Sequence, residues 1–388
     1  MTKMRLNKTH TELLEYIKSF DAIKYGKSRN YINGNVSFLS PYITHGVITT
    51  KEVIKIVLAR YTLEQCENFL KELLRREYFL QVHYRKWDAI FSDMEPSKTN
   101  IPKLDILSQK IIDWETDSKW INEIVNKLKN TWYLHNHQRM RFASYCTHYA
   151  KLYRKSFADW TYYNFLDGEL GSNHLSRQWV ESTFSHKPYF MNEENISKYR
   201  SGHLDNIYSG TYDEVSEMLF DPNRKSIYEH DIDKKDILTT DLSWFDFFDI
   251  NLSDHKDIVV LNPRDLHPQK IHKDKTTICI LDVNFLSKHP WSQNRLNFVK
   301  SYTDIYGINI YKWDLDQIVS EMIKSWKNIT MYQNHNPIYR QAWENNTNNI
   351  NLIEYDRFCP SVKKWYINKF FWFWNKNLDY IYNFKRTL

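Results

Sequence analysis

Apolar residues recur three and four positions apart through most of the first half of the chain. HTELLEYIKSF, VIKIVLARY, ENFLKELLRREYFLQVHYRKW and NEIVNKLKN each carry that spacing, the period of a helix with one buried face. Glycine is scarce, 8 in 388 residues, which suits long helices. Gly, Pro, Asn and Ser gather at KYGKSRNYINGNVSFLSP, FSDMEPSKTNIPK and SHKPYFMNEEN, and these stretches are expected to break the helices. Residues 10–190 therefore read as mostly helical.

The pattern changes near residue 250. KDIVVLNP and TTICILDV are short apolar runs bounded by turn residues, as in buried strands. SQNRLNFVKSYTDIY then predicts a helix, INIYKWDL a strand, DQIVSEMIKSWKN a helix and ITMYQNH a strand. IYRQAWENN predicts a helix and NINLIEYD a last strand. Strands alternating with helices imply a parallel α/β layer. The division expected is a helical domain over 1–225, a connection over 226–252 and an α/β domain over 253–388. No internal repeat or low-complexity tract is visible.

Composition narrows the class. Charged residues are 26% of the chain, as in globular and not disordered proteins. Aromatics reach 16%, which serves a bulky helical core or stacking surfaces for flat ligands equally well. A net charge of +6 fits a phosphate-bearing partner without requiring one. Cys66, Cys146, Cys279 and Cys359 are far apart with no CxxC, so neither a zinc ribbon nor a disulfide framework is expected. Buried thiols in a reducing cytoplasm are the simple reading, with no metal. The N-terminus has no apolar signal segment, and WYINKFFWFWNKNLDYIYNF is interrupted by Lys and Asn. It predicts an amphipathic terminal helix too polar to span a bilayer.

Three polar segments stand out. In TWYLHNHQRM, Asn136, Arg139 and Met140 share one helical face. HNH at 135–137 could signal an HNH nuclease, but that motif needs a ββα metal site and this segment lies among helices. In ELLRRE, Glu72 and Arg76 have salt-bridge spacing, although a surface ion pair is the commoner meaning. DGELGSNHLSRQW holds Asp167, Glu169, Asn173, Arg177 and Trp179. Asp167 could orient Arg139 by a bidentate pair.

Together these pieces resemble the cryptochrome/photolyase family over about residues 20–200. Tyr25-x-x-x-Arg29 followed by NVSFLSPYITHGVIT is similar to the family's flavin-phosphate loop and "LSPYL-x-x-G" helix start. ELLRREYF resembles "EL-x-WREF", and WYLHNHQRMRFAS resembles "GW-x-HNR-x-RM-x-x-AS". LDGELGSNHLSRQWVEST resembles "LDGD-x-x-xNN-x-xWQW-x-x-ST". Four matches in order, at near-family spacing, make the resemblance specific. It implies a multidomain α and α/β fold: an all-helical photolyase-type FAD-binding domain followed by a Rossmann-like parallel α/β domain.

By resemblance, Ser37, Leu39 and Ser40 line the FAD diphosphate loop, and Tyr25 and Arg76 also reach phosphate. Phe69 stands where the family places an FAD-contacting Trp. Asn136, Asp167, Glu169 and Asn173 surround the flavin and adenine, with Arg139 paired to Asp167 and Asn173 facing the flavin N5 region. Glu72, Met140 and Trp179 line the cavity for a pyrimidine dimer flipped from DNA. The function implied is blue-light-dependent repair of cyclobutane pyrimidine dimers by a monomeric, cytoplasmic photolyase acting on UV-damaged DNA.

Departures from the family pattern keep two other readings open. Arg177 stands where the first Trp of the family's electron-hopping chain is expected, and Arg154 falls near the second. Arg75 replaces a lesion-contacting Trp, Val36 a Thr or Ser of the phosphate loop, and Tyr133 a Trp. The usual route of flavin photoreduction is thus expected to be broken, and a cation there favours a reduced, anionic flavin. The alternatives are a cryptochrome-like blue-light receptor without repair activity and a helical scaffold that has lost its flavin. The family's antenna domain usually comes first. Here IVVLNPRDLH and PWSQNRLNFVKSYTDIYGINIYKWDL are similar to parts of it, which implies a permuted order with that domain last. Whether it takes a second antenna chromophore is left open.

Overall fold

A computed structural model describes residues 8–199, 205–248, 257–272, 274–325, 328–333, 349–354, 357–360 and 369–388. The chain divides into two compact units that interleave along the sequence. One comprises Met1–Gly26, Ser37–Trp87 and Thr239–Leu388, the other Lys27–Val36 and Asp88–Leu238.

The first unit combines helices with a sheet. Its helices include α1 (His10–Ser19), α3 (Ser40–Thr44), α4 (Thr50–Arg60) and α5 (Leu63–Lys86); α2 is Ala22–Ser28. Three of them begin at capping boxes: Thr9 with Glu12, Thr49 with Glu52 and Thr62 with Gln65. Each box satisfies backbone N–H groups that a helix start leaves without partners. The strands β1 (Asp257–Leu261), β2 (Thr276–Asp282), β3 (Asn309–Trp313), β4 (Asn328–Tyr332) and β5 (Asn351–Ile353) form one sheet in the order β3-β2-β1-β4-β5. Every pairing is parallel, the expected Rossmann-like layer. α13 (Val283–Lys288) and α14 (Gln293–Ile305) connect β2 to β3, and α15 (Leu315–Ser325) leads to β4. Ile258, Val260, Ile278 and Ile280 pack with Ile318, Val319 and Met322. Val259, Leu261, Cys279 and Leu281, which alternate with these onto the other face, are buried as well, and burial on both faces explains the near-continuous apolar runs of β1 and β2. The helix predicted over 338–346 lies outside the described residues. The terminal helix is Phe370–Arg386, α16, and packs on α5 and α4.

Long-range polar ties join the helices of this unit to the sheet. Glu77 on α5 accepts the backbone N–H groups of Phe358 and Cys359, each at 2.9 Å. The Leu266 N–H donates to the His45 carbonyl at 3.0 Å. Gly46, at φ 67°, is so close to this loop that a Cβ would lie 2.4 Å from the Arg264 carbonyl oxygen. Only glycine accommodates both conditions. Glu52 does more than cap α4: its carboxylate lies 2.9 Å from His10 Nε2 and 3.1 Å from His267 Nε2.

The ligand atoms of this trio lie within 4.8 Å of one another, as a metal site would require. However, the Gln269 N–H donates to His267 Nδ1 at 3.2 Å. That leaves the proton of neutral His267 on Nε2, facing Glu52. The trio therefore acts as a hydrogen-bonded clasp. Burial raises the Glu52 pKa, but the two histidines and the Thr49 N–H outweigh it and lower the value to about 2. The carboxylate's contribution is complete above its ordinary value of 4.5 and is lost as pH falls toward 2. Glu52→Ala removes the box and the clasp together and is expected to cost about 2–4 kcal/mol in urea unfolding.

The second unit is helical. It holds α6 (Gln109–Ile112), α7 (Lys119–Thr131), α8 (Asn136–Ser144), α9 (Arg154–Asn164), α10 (Leu170–Glu181), α11 (Glu193–Tyr199) and α12 (Tyr212–Phe220). Its core gathers Trp120, Ile124, Leu128, Phe142, Tyr145, Phe157 and Trp160. The π-helical turn Tyr145–Tyr149 continues α8. Among the described residues, no helix is long and apolar enough to cross a membrane.

Candidate functional site

In the first unit, the expected phosphate-loop residues lead into α3. Leu39 is its buried N-cap, and the Ser40 carbonyl accepts Thr44 Oγ1 at 2.8 Å. Thr44 Oγ1 in turn accepts Arg76 Nη2 at 2.8 Å, which ties α5 to α3. The Ser37 carbonyl accepts the Tyr16 hydroxyl at 3.0 Å. Phe69 is buried against Phe20 and Tyr25, with ring centroids 5.0 Å away in each case. The spacing of Glu72 and Arg76 predicts an i, i+4 ion pair. Arg75 Nη2 lies 3.9 Å from Glu72, and the Arg75 guanidinium lies 4.6 Å from the Phe370 ring centre.

In the second unit, α8 and α10 carry the remaining candidates. The helical face predicted for Asn136 and Met140 is present, with Asn136 Nδ2 3.5 Å from Met140 Sδ. Arg139 donates from Nη2 to Asp167 Oδ2 at 2.8 Å and from Nε to the Leu134 carbonyl at 2.8 Å. The pair is thus single-pronged. The bidentate geometry expected from sequence is absent because Nε is turned to Leu134. Phe165 lies beneath the guanidinium, its ring centre 4.1 Å away.

Glu169 has a role the sequence reading missed: it is the N-cap of α10. Its carboxylate accepts the N–H groups of Gly171 and Ser172, at 3.1 and 2.6 Å. Glu is not a favoured cap residue, so no standard signal marked it. Asn173 donates from Nδ2 to the Ala158 carbonyl at 2.7 Å, and its Oδ1 lies 3.3 Å from Thr161 Oγ1. Trp179, at the other end of α10, is 41% exposed and tilts against Tyr189.

Arg177 is 4% exposed. It donates to the Arg139 carbonyl at 3.3 Å and to Thr161 Oγ1 at 3.1 Å. Among the described residues no carboxylate forms an ion pair with it. Burial lowers its pKa to about 10, so it is still a cation at neutral pH. Thr161 thus links the guanidinium to Asn173. The Arg154 position is different in kind. Arg154 lies beside Asp93 and 2.8 Å from Glu181, which also holds Lys103.

His135 and His137 do not form a nuclease centre. His135 caps α8 by accepting the His137 N–H at 3.2 Å. Burial lowers both pKa values from 6.5 to about 4. Folding therefore holds both rings neutral, and the stability they contribute is complete above pH 6.5. It declines as pH falls toward 4. Urea titrations from pH 7 to 4 should show that loss, and His135→Asn, which keeps a cap, should lessen it and leave the share of His137.

Residues 69–208 match the family model described as the FAD binding domain of DNA photolyase. Among solved structures, a class III photolyase from Agrobacterium tumefaciens is 19% identical with a TM-score of 0.41. The match covers 47% of this chain and 41% of that one. A cryptochrome from Synechocystis sp. PCC6803 is 17% identical with a TM-score of 0.41, covering 54% of this chain and 43% of that one. The chain thus spans less than half the length of either. No curated protein matches.

Proposed function

We propose that this chain, whose residues 69–208 match the FAD binding domain of DNA photolyase, is a member of the photolyase/cryptochrome family that binds FAD and repairs cyclobutane pyrimidine dimers in DNA under blue light. The single observation that carries this reading is the ion pair of half-buried Arg139 with buried Asp167, linked to Asn173 through Arg177 and Thr161. Asp167 and Leu134 hold two nitrogens of the guanidinium, and among the described residues none bonds Nη1, which is proposed to meet the ligand. A fixed cation and the carboxamide of Asn173 suit the carbonyl and nitrogen edge of a flat heteroaromatic ring. The donor set fits FAD in this respect. When bound and reduced, the flavin supplies on excitation the electron that splits the dimer.

The chain's own residues have the remaining tasks. Ser37, Leu39, Ser40, Tyr25 and Arg76 hold phosphate. Asn136, Arg139, Asp167, Glu169 and Asn173 orient the rings, with Phe69 as an apolar wall. Glu72 accepts hydrogen bonds from the damaged bases, Met140 contacts them, and exposed Trp179 stacks on them. The net charge of +6 supports salt-dependent attraction of the DNA backbone. We read the five-stranded domain as the antenna domain's counterpart, moved behind the FAD domain.

The test is illumination of reduced, FAD-loaded protein with an oligothymidine containing dimers. The expected result is loss of dimers in the light and none in the dark; intact dimers after illumination refute repair. Buried Arg177, a cation in place of an oxidisable ring, favours a second reading as a blue-light signalling flavoprotein. That reading expects elution in size exclusion to differ between light and dark, without repair.

A further inference from the structure

We propose that Tyr145 is a redox-active tyrosine, oxidised by one electron by photoexcited oxidised flavin while its phenolic proton passes to Asp117. The inference rests on the FAD reading for its oxidant; its geometry belongs to the protein alone. Tyr145 is fully buried at the start of the π-helical turn, a feature that recurs at functional sites. Its hydroxyl lies 2.8 Å from Asp117 Oδ1 and 2.7 Å from the Tyr228 hydroxyl.

An ionised carboxylate can only accept. The single proton of Tyr145 therefore points to Asp117, and Tyr228 must donate to Tyr145. This order is what a proton-coupled oxidation needs. The Tyr145 O–H bond breaks, the electron goes to the oxidant and the proton to Oδ1 of Asp117. The phenoxyl oxygen keeps the hydrogen bond from Tyr228. Asp117 is exposed, so water can carry its proton away.

The surroundings extend the site. Tyr149 stacks on Tyr145 with centroids 6.3 Å apart and planes 11° from parallel. Tyr208 lies 5.1 Å from Tyr149, and Trp120 lies 5.8 Å from Tyr208. Tyr149 donates to the Met191 carbonyl, which cannot take a proton, so it can relay charge but is a poor resting place for it. Among the described residues, the Tyr208 hydroxyl reaches a carboxylate through Ser118, whose Oγ lies 2.7 Å from Asp205. Among the described residues, Tyr145 is the tyrosine of this row whose hydroxyl bonds a carboxylate directly. It directly follows α8, the helix of Asn136 and Arg139, and nine residues at helical rise put it about 13 Å beyond Asn136.

The experiment compares the full chain with Tyr145→Phe, Asp117→Asn and Asp117→Glu after each is checked by circular dichroism for native folding. FAD content is measured first, and the loaded proteins are then illuminated and read by electron paramagnetic resonance for a tyrosyl signal. In parallel, flavin-free protein is oxidised by a tris-bipyridine ruthenium complex with persulfate under flash excitation. Tyr145→Phe should lower the buried tyrosyl signal at least fivefold in both arms. Asp117→Asn should slow its formation about tenfold, and Asp117→Glu should restore it. Signals in Tyr145→Phe and Asp117→Asn that equal the wild type in both arms overturn the proposal. Protein that takes up no FAD refutes the FAD reading instead, and the ruthenium arm then decides Tyr145 by itself.

Discussion

A protein in which Glu181 is replaced by alanine is expected to lose about 3–5 kcal/mol of stability, because a buried carboxylate serving two cations disappears. Glu181 closes α10 with its side chain 4% exposed, and both Lys103 and Arg154 converge on it from positions 8% and 1% exposed. Without it, Lys103 loses its only ion pair among the described residues. Arg154 keeps Asp93, whose side chain is 45% exposed and which compensates a buried charge poorly. Leaving a charge buried and uncompensated is much costlier than never having placed it there. Urea unfolding of the variant should give a midpoint well below wild type, and a change under 1 kcal/mol would show that water reaches these cations. Arg154→Met with Lys103→Met and Glu181→Met together should be far milder than Glu181→Ala, since that combination removes the charges along with their partner.

The second large effect is expected at Arg139. Arg139→Ala leaves Asp167, 4% exposed at its side chain, without the guanidinium 2.8 Å away. Part of the cost is offset because Arg139 itself is 24% exposed and water can enter the space it vacates. About 2–4 kcal/mol of destabilisation is expected. The same change removes the cation proposed to orient the flavin, so FAD affinity should fall at least a hundredfold. Arg139→Lys separates the two consequences. It keeps the charge but cannot reach Asp167 and the Leu134 carbonyl together, so it should retain most of the stability and still lose affinity. Isothermal titration with FAD, beside a urea melt of each variant, reads both quantities.

What the sequence made legible follows from the range of each interaction. α1, α4, α5 and α7 repeat apolar residues over several turns, and β1 and β2, buried on both faces, read as apolar runs. The capping boxes at Thr9, Thr49, Thr62 and Thr211 are local, with the two partners three residues apart, and could have fixed those helix starts. α11 and α12 were harder. They are seven and nine residues long, too short to establish a period against their polar surroundings.

The candidate residues were legible as motifs but not as geometry. Asp167 and Arg139 are joined as expected, yet nothing local reveals that Arg139 Nε turns to Leu134 and makes the pair single-pronged. Arg154 reads in sequence only as a missing aromatic. Its reason is Glu181, 27 positions on, and Asp93, 61 positions back. The tie from Glu77 to the backbone of Phe358 and Cys359 spans more than 280 residues and leaves no periodic trace. Tyr145 was hidden likewise, since its partners Asp117 and Tyr228 lie on separate segments and the π-helical turn has no sequence signature.

The central claim is that this chain holds FAD through the residues around Arg139 and Asp167. The most direct test is the absorption spectrum of the purified full-length protein after incubation with FAD and removal of unbound cofactor. The account predicts a yellow protein carrying close to one FAD per chain, and a nearly colourless Arg139→Ala variant. A wild-type protein that emerges colourless, or a variant that retains as much flavin as wild type, would contradict it.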